Sequence, residues 1–298
     1  MRIAVFGASG LIGQALDAAL RADGAQVVAI GRHGAQDLPG RTGVQWDAQS
    51  PLDPSVLSGC DAVVNLAGAG ISRRWTRRAK DEIFESRVRV TERVTDAVMH
   101  AGVPVLVNGS AVGYYGAGEQ PVTERAAHGT GFLADLCVAW ETAARLAESS
   151  GTRVVRIRTG IVLSTEGGAL PAMVRPARLG LGGPIGGGDQ WLPWIHIDDA
   201  VGVLRFAILT AAIAGPVNMV APGAVRQKEF ADALGDVLGR PSFMPAPRLA
   251  VRALLGEAAS TVTTGQHVIP AVLEAAGYAF RFPTLETALA DLLGTPAA

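Results

Sequence analysis

The chain has 298 residues, 49% hydrophobic and 18% charged, which is enough apolar material for a large core in one or two domains and excludes a disordered chain. A formal net charge of −1 gives no general pull toward nucleic acid or an anionic membrane, so neither is expected as a partner. Two cysteines, Cys60 and Cys137, exclude a disulfide framework, and no segment approaches the ~18 apolar residues of a membrane helix, so a reducing cytoplasm is the expected home.

Residues 3–6 form a short apolar run followed directly by Gly7-Ala8-Ser9-Gly10-Leu11-Ile12-Gly13 and a helical pattern over 11–22. This is the strand, turn and helix context of a dinucleotide site. Gly7 permits the tight turn, Gly10 lets the backbone approach a pyrophosphate, and Gly13 lets the helix pack closely on the strand. Ser9, Leu11 and Ile12 belong to the same turn and helix start, whose unpaired N–H groups face the anion.

Further apolar runs at 26–30, 43–46, 62–66, 103–108 and 152–158 continue the strand–helix alternation of a parallel sheet covered on both faces. Crossover helices are expected over 11–22, 77–100 and 131–149. The second run ends in Ala29-Ile30-Gly31-Arg32-His33, without the carboxylate that an NAD site usually places there. Arg32 offers either a plane to stack on adenine or a fork for a 2′-phosphate, so NADP(H) is the expected cofactor. Asp47 stands where a side chain either contacts adenine or caps the next helix. Leu66, Ala67 and Gly68, after Asn65, are small enough in sum to bring the backbone close to the cofactor ribose. The basic cluster Arg73, Arg74, Arg77, Arg78 and Lys80 reads mainly as a solvated helix face, with Arg73, Arg74 and Trp75 also placed to meet an acidic substrate group.

Beyond about residue 163 the rhythm loosens. Residues 164–194 hold eight glycines, with prolines and Trp191 and Trp194, a composition that suits an irregular segment closing over a site. The two tryptophans either wall a pocket or pack in a core. His196, Asp198 and Asp199 lack the spacing of a metal site, and the two aspartates read as a helix cap. Helices are expected over 227–239, 247–256 and 270–277. The expected fold class is α/β: a Rossmann-type doubly wound parallel sheet over residues 1–163, and a small C-terminal substrate lobe over 164–298, partly interleaved with the sheet.

The glycine turn, Asn65-Leu66-Ala67-Gly68, the segment Gly109-Ser110-Ala111-Val112-Gly113-Tyr114-Tyr115-Gly116, Arg158-Thr159-Gly160-Ile161-Val162-Leu163 and Trp194-Ile195-His196-Ile197-Asp198-Asp199 together resemble the extended short-chain dehydrogenase/reductases. The stretch from Arg178 to Gly186 and the tail around Gly265-Gln266-His267-Val268-Ile269-Pro270 resemble one branch of it, the epimerase-family or sugar-nucleotide-epimerase-like oxidoreductases, some of which carry a cell-division-inhibitor label. The resemblance runs from Met1 to about Leu292. It implies the fold and a nicotinamide cofactor but not the substrate; the expected function is an NADP(H)-dependent oxidoreductase acting on a small carbonyl, alcohol or enone. A sugar-nucleotide epimerase or dehydratase and a non-catalytic NADP(H)-binding sensor are the alternatives.

The wider family works with a Ser or Thr and a Tyr/Lys pair spaced YxxxK on one helix, the ammonium lowering the phenol's pKa. Here those two positions are Leu133 and Cys137, and the helix holds neither tyrosine nor lysine. Ser110 matches the family serine. Tyr114, in the loop after it, is expected to donate the proton instead, while Tyr115 reads as structural and Cys137 as a small buried residue. Many members pair through long helices, so 77–100 is the expected surface of any homodimer.

Overall fold

The structure, a computed structural model, describes residues 1–32 and 39–294; His33 lies outside them. The chain opens with β1 (Arg2–Phe6), α1 (Leu11–Ala22), β2 (Gln26–Gly31), β3 (Arg41–Gln45) and β4 (Ala62–Asn65). There follow α2 (Arg77–Phe84), α3 (Val90–Ala101), β5 (Val105–Ala111), the short β6 (Gly118–Val122), α4 (Phe132–Arg145) and β7 (Arg153–Thr159). Next come β8 (Ile161–Leu163), α5 (Leu170–Arg178), β9 (Trp191–Leu192), β10 (Trp194–His196), α6 (Ile197–Leu209) and β11 (Gly215–Met219). The C-terminal part adds β12 (Val225–Arg226), α7 (Gln227–Leu238), α8 (Arg248–Leu255), α9 (Ser260–Thr263), β13 (Gln266–Val268), α10 (Ala271–Ala275) and α11 (Leu285–Leu293).

Seven strands form one sheet in the order β11-β7-β5-β4-β1-β2-β3, every pair parallel. Helices cover both faces, which is why the strands read as near-continuous apolar runs. Ile3 and Val5 of β1 pack with Leu16, Leu20 and Leu204 of α1 and α6. Ala4 and Phe6 point the other way, into a core with Val94 and Val98 of α3. Each fully buried side chain of this size contributes about 1.5–3 kcal/mol. The chain order turns back between β1 and β4, and that switch opens a crevice at the carboxyl ends of the strands where ligands bind in such sheets.

Two sequence expectations need correction. The helix expected over 77–100 is broken by a π-helical turn at Glu85–Arg89. The stretch 164–194, expected to be irregular, contains α5; Pro171 at its start needs no N–H partner, and Pro176 sits inside it. Beyond residue 163, β11 and α6 rejoin the sheet unit, β11 as its edge strand beside β7 and α6 on the face that α1 covers. A separate core of Leu170, Val174, Trp194, Phe230, Leu234 and Leu289 holds α5, α7 and α11 together as a C-terminal lobe. Among the described residues no helix is long and apolar enough to cross a membrane.

Candidate functional site

A cleft of 760 Å³ runs over the switch point, between the ends of β1 and β4 and on toward β2 and β3. Gly7, Ser9, Gly10, Arg32, Asp47, Leu66, Ala67 and Gly68 all line it. Leu11, Ile12 and Gly13 sit behind the turn on α1. Gly7 has φ +76, and a Cβ there would fall 2.8 Å from the Leu66 carbonyl carbon and oxygen; a Cβ on Gly13 would fall 2.2 Å from the Gly7 carbonyl oxygen. Both glycines therefore serve the closeness of strand, turn and helix. Gly10 differs: its Cβ would meet only the Gly7 oxygen, at 3.3 Å, and otherwise point into open space. No side chain caps α1, so its first N–H groups stay available to an anion. The residues fit a dinucleotide with its pyrophosphate at this turn.

At the β2–β3 end, Arg32 and Arg93 both line the cleft, and Arg93 Nη1 donates to the Ala48 carbonyl at 3.2 Å. Arg93 carried no signal in the sequence. Asp47 caps a turn rather than the next helix: its Oδ1 accepts from the N–H groups of Gln49 and Ser50 at 2.8 and 2.9 Å, and its Oδ2 from Ser50 Oγ at 3.0 Å. Those bonds hold its carboxyl below the usual range. The helical turn after it is capped instead by Asp53.

Past the β4 end of this cleft lies a second cavity of 520 Å³. Its walls are Ile71, Trp75, Ala111–Gly113, Thr130–Ala134, Thr159–Ile161, Met173, Ile185, Gln190–Pro193, and Ser260–Val262 with Thr264–Gln266 from the C-terminal segment. No Lys or Arg lines it among the described residues. Its one carboxylate, Glu257, is held by Lys80 Nζ at 2.6 Å. Leu133 faces this cavity where the wider family carries its tyrosine. Cys137 lies one turn deeper, 1% exposed, and burial pushes its thiol up to about 11, so it is no nucleophile at neutral pH. Of the two tryptophans, Trp191 walls the cavity, stacked between His267 and Arg226, while Trp194 is core.

Neither proposed proton-handling residue reaches this cavity. Ser110 is 4% exposed and its Oγ donates to Glu141 Oε1 at 2.8 Å, because alternate residues of a strand face opposite ways and it is Ala111 that looks into the cavity. Tyr114 lies with its ring 3.4 Å from the Arg158 guanidinium carbon and edge-on to Tyr115 and His128. Arg158 donates to both Glu141 oxygens, at 2.8 and 3.0 Å, and to Tyr115 Oη at 2.9 Å, which itself donates to Asn218 Oδ1 at 2.6 Å. This buried network joins β5, α4, β7 and β11 beneath the site. Tyr115 is thereby structural, and burial pushes its phenol up.

The remaining polar residues also resolve. His196 caps α6, its Nδ1 accepting from the Asp198 N–H at 3.0 Å; Asp199 instead accepts from the Arg281 and Phe282 N–H groups at 2.8 Å each and ties the C-terminal tail down. Arg73 and Arg78 share Glu82 of α2, and Lys80 pairs with Glu257 of the C-terminal segment. The hydroxyl run Ser260-Thr261-Val262-Thr263-Thr264, which supplies Ser260, Thr261 and Thr264 to the cavity wall, was the available but unread signal.

Residues 3–219 match the model of the NAD dependent epimerase/dehydratase family, and residues 246–292 match a domain of unknown function, DUF1731. The chain is 45% identical over 291 residues to an epimerase family protein of Mycobacterium bovis, covering 96% of both chains. It is 41% identical over 303 residues to the mouse epimerase family protein SDR39U1, covering 98% of this chain and 100% of that one. The crystal structure of human SDR39U1 (isoform 2) with NADPH superposes with a TM-score of 0.90 at 39% identity, covering 98% of this chain and 99% of that chain. MoeE5 in complex with UDP-glucuronic acid and NAD, at 22% identity and a TM-score of 0.82, shares the fold. The chain belongs to the NAD dependent epimerase/dehydratase family, as an SDR39U1-like, atypical extended short-chain dehydrogenase/reductase.

Proposed function

We propose that this protein is an NADP(H)-dependent oxidoreductase acting on a small, uncharged and largely apolar carbonyl or enone. The observation that carries this reading is the lining of the 520 Å³ cavity: apolar walls, hydroxyls and amides, and neither a cation nor an unpaired carboxylate among the described residues. A nucleotide sugar brings a diphosphate that such walls leave unpaired, at a cost in desolvation. The cofactor side favours NADP(H), since Arg32 and Arg93 line the adenosine end and Asp47, the carboxylate there, is already engaged by its own turn. The NADPH in the human SDR39U1 structure supports the same choice.

When bound, NADPH supplies a hydride equivalent to an electrophilic carbon. The chain's residues do the rest. The turn at Gly7–Gly13 holds the pyrophosphate, and Leu133, Trp75 and Trp191 hold the apolar body of the substrate. Thr130 is placed to orient its oxygen, whereas the Ser260 hydroxyl donates to the Glu257 carbonyl at 2.9 Å. With Leu133 and Cys137 in place of a Tyr/Lys pair, and Ser110 and Tyr114 engaged elsewhere, the proton comes from water. That suits an enone, whose reduction gives a delocalised enolate with an oxygen less basic than an alkoxide, better than a plain ketone, whose reduction puts the whole charge on one alkoxide oxygen.

The test is anaerobic rapid mixing of NADPH-loaded protein with apolar enones and apolar ketones, following nicotinamide absorbance, beside NADP+-loaded protein given nucleotide sugars and followed by NMR. Oxidation of NADPH by the enones first and no conversion of the nucleotide sugars is the expected result. Turnover of nucleotide sugars alone makes the protein an epimerase or dehydratase; no turnover with tight NADPH binding makes it a sensor.

A further inference from the structure

The position of the wider family's lysine is here the buried thiol of Cys137. Another cation, Arg87, has an electrostatic interaction with that thiol. Arg87 lies on the π-helical turn Glu85–Arg89, and such turns, which insert one residue and re-aim the side chains, concentrate at functional sites. Its Nη1 donates to the Ala69 carbonyl at 2.9 Å, while Ser86 Oγ accepts from the Ala69 N–H at 2.9 Å. The turn thus grips the backbone just past Gly68, on the wall of the dinucleotide cleft. The guanidinium lies against Gly68, where a Cβ would come within 3.0 Å of its central carbon, and 5.3 Å from the ring of Trp140 on α4.

Nη1 is the one nitrogen of this group bonded to a described residue, and no carboxylate among the described residues is within ion-pair distance. Burial holds the guanidinium below its usual range, and the nearest titrating neighbour is Cys137. A half-buried cation with no anion beside it, and with only one of its nitrogens bonded, is costly unless a ligand completes it.

We propose that Arg87 is the cofactor-positioning cation of this protein, its Nε and Nη2 donors holding the hydroxyls of the nicotinamide-side ribose. The proposal rests on the dinucleotide reading given above. A guanidinium fork matches a vicinal diol in two bonds, but it does not titrate, so Arg87 holds a ribose without supplying the lysine's effect on a phenol. The glycine at 68 follows from the same arrangement, since a side chain there collides with the fork.

Full-length protein, Arg87→Met and Arg87→Lys are titrated with NADPH and with adenosine 2′,5′-bisphosphate, which lacks the nicotinamide half. Arg87→Met is expected to weaken NADPH by about 10- to 100-fold and the bisphosphate by less than about twofold, with Arg87→Lys recovering part of the loss. Equal weakening of both ligands, which is what a purely structural grip on Ala69 gives, overturns the proposal, and so does unchanged NADPH affinity. Should Arg87→Met not fold, Arg87→Lys decides alone: a loss of about threefold or more confined to NADPH supports the proposal, and none refutes it. If the unaltered protein prefers NADH, it is the NADP(H) reading that fails, and the same ratio taken with NADH and ADP judges Arg87 separately.

Discussion

The two cavities of this molecule are built on opposite plans. The dinucleotide cleft is made mainly from turns that follow β1, β2, β3 and β4, with Glu82, Glu85, Ser86, Val90 and Arg93 added from the helical stretch after β4. Its grip is exerted by backbone N–H groups, by two arginines, and by glycines that leave room. The neighbouring cavity is made from side chains drawn from Ile71 to Gln266, and its character comes from apolar volume. Backbone geometry that tolerates no side chain fixes the cofactor's place, whereas side-chain size and polarity fix the substrate. Substitutions in the first therefore affect binding or folding in steps, and those in the second shift selectivity.

The sharpest break lies within the glycine turn itself. Gly10→Val is expected to fold, because its Cβ has open space beyond one 3.3 Å approach, yet to lose detectable NADPH binding since the side chain fills the pyrophosphate's place. Gly13→Ala is expected to do the reverse. With a Cβ only 2.2 Å from the Gly7 oxygen it destabilises the fold by about 3 kcal/mol or more, read as a fall in denaturation midpoint before any ligand is added. Similar behaviour of the two variants would erase the distinction between a ligand-facing and a packing glycine.

In the second cavity, Leu133→Asp places a charge in the wall. Its kcat/KM for an apolar enone should fall about 10- to 100-fold, the loss of a buried leucine's worth of contact, while NADPH affinity stays within about twofold. Arg32→Ala is the mirror of this on the cofactor side. It should weaken NADPH by roughly 10- to 100-fold, a charge-assisted bond of ~1.5–3 kcal/mol, and leave NADH nearly unchanged. Equal losses for the two cofactors would reduce Arg32 to a stacking surface.

The cleft was legible because its chemistry is local. A glycine turn between a strand and a helix, an arginine in place of a carboxylate after β2, and small residues after β4 each sit within a few positions of one strand end. The missing Tyr/Lys pair was legible for the same reason, as Leu133 and Cys137 share one helix face. The proton donors were misread because the two relevant residues differ by one strand position: Ser110 and Ala111 point to opposite sides of β5, and the side facing the cavity depends on how α4 packs. Tyr114 was misplaced because Arg158, forty-four residues on in the chain, draws its ring under a guanidinium. The wall from Glu257 to Gln266 is marked in the sequence by its run of hydroxyls alone, which does not say where it folds, and it reaches the cavity through pairing of β13 with β6, more than a hundred residues upstream. The helix α5 was hidden by its two prolines and by the glycines that surround it.

The smallest effect is expected at Cys137. Cys137→Ala should change turnover by less than about tenfold, and the native thiol should resist alkylation at pH 8, where about one in a thousand is ionised. Its thiol is raised from 9.0 to about 11 in the folded state, so the native protein keeps a proton that the unfolded chain gives up. Stability contributed by this group is complete below pH 9 and declines as the pH rises from 9 to about 11. Cys137→Ala should flatten that part of the stability–pH curve, as read by denaturant titration.

The claim on which the account depends is that reducing equivalents pass from the dinucleotide cleft into an apolar carbonyl or enone held against Leu133. Loading the protein with NADPH carrying deuterium at the transferable position of nicotinamide C4, and analysing the products of an apolar enone and of a UDP-4-keto sugar by mass spectrometry, tests it most directly. One deuterium in the reduced enone and none exchanged into the sugar is the result expected. Deuterium returned to the sugar ring with the enone untouched would contradict it.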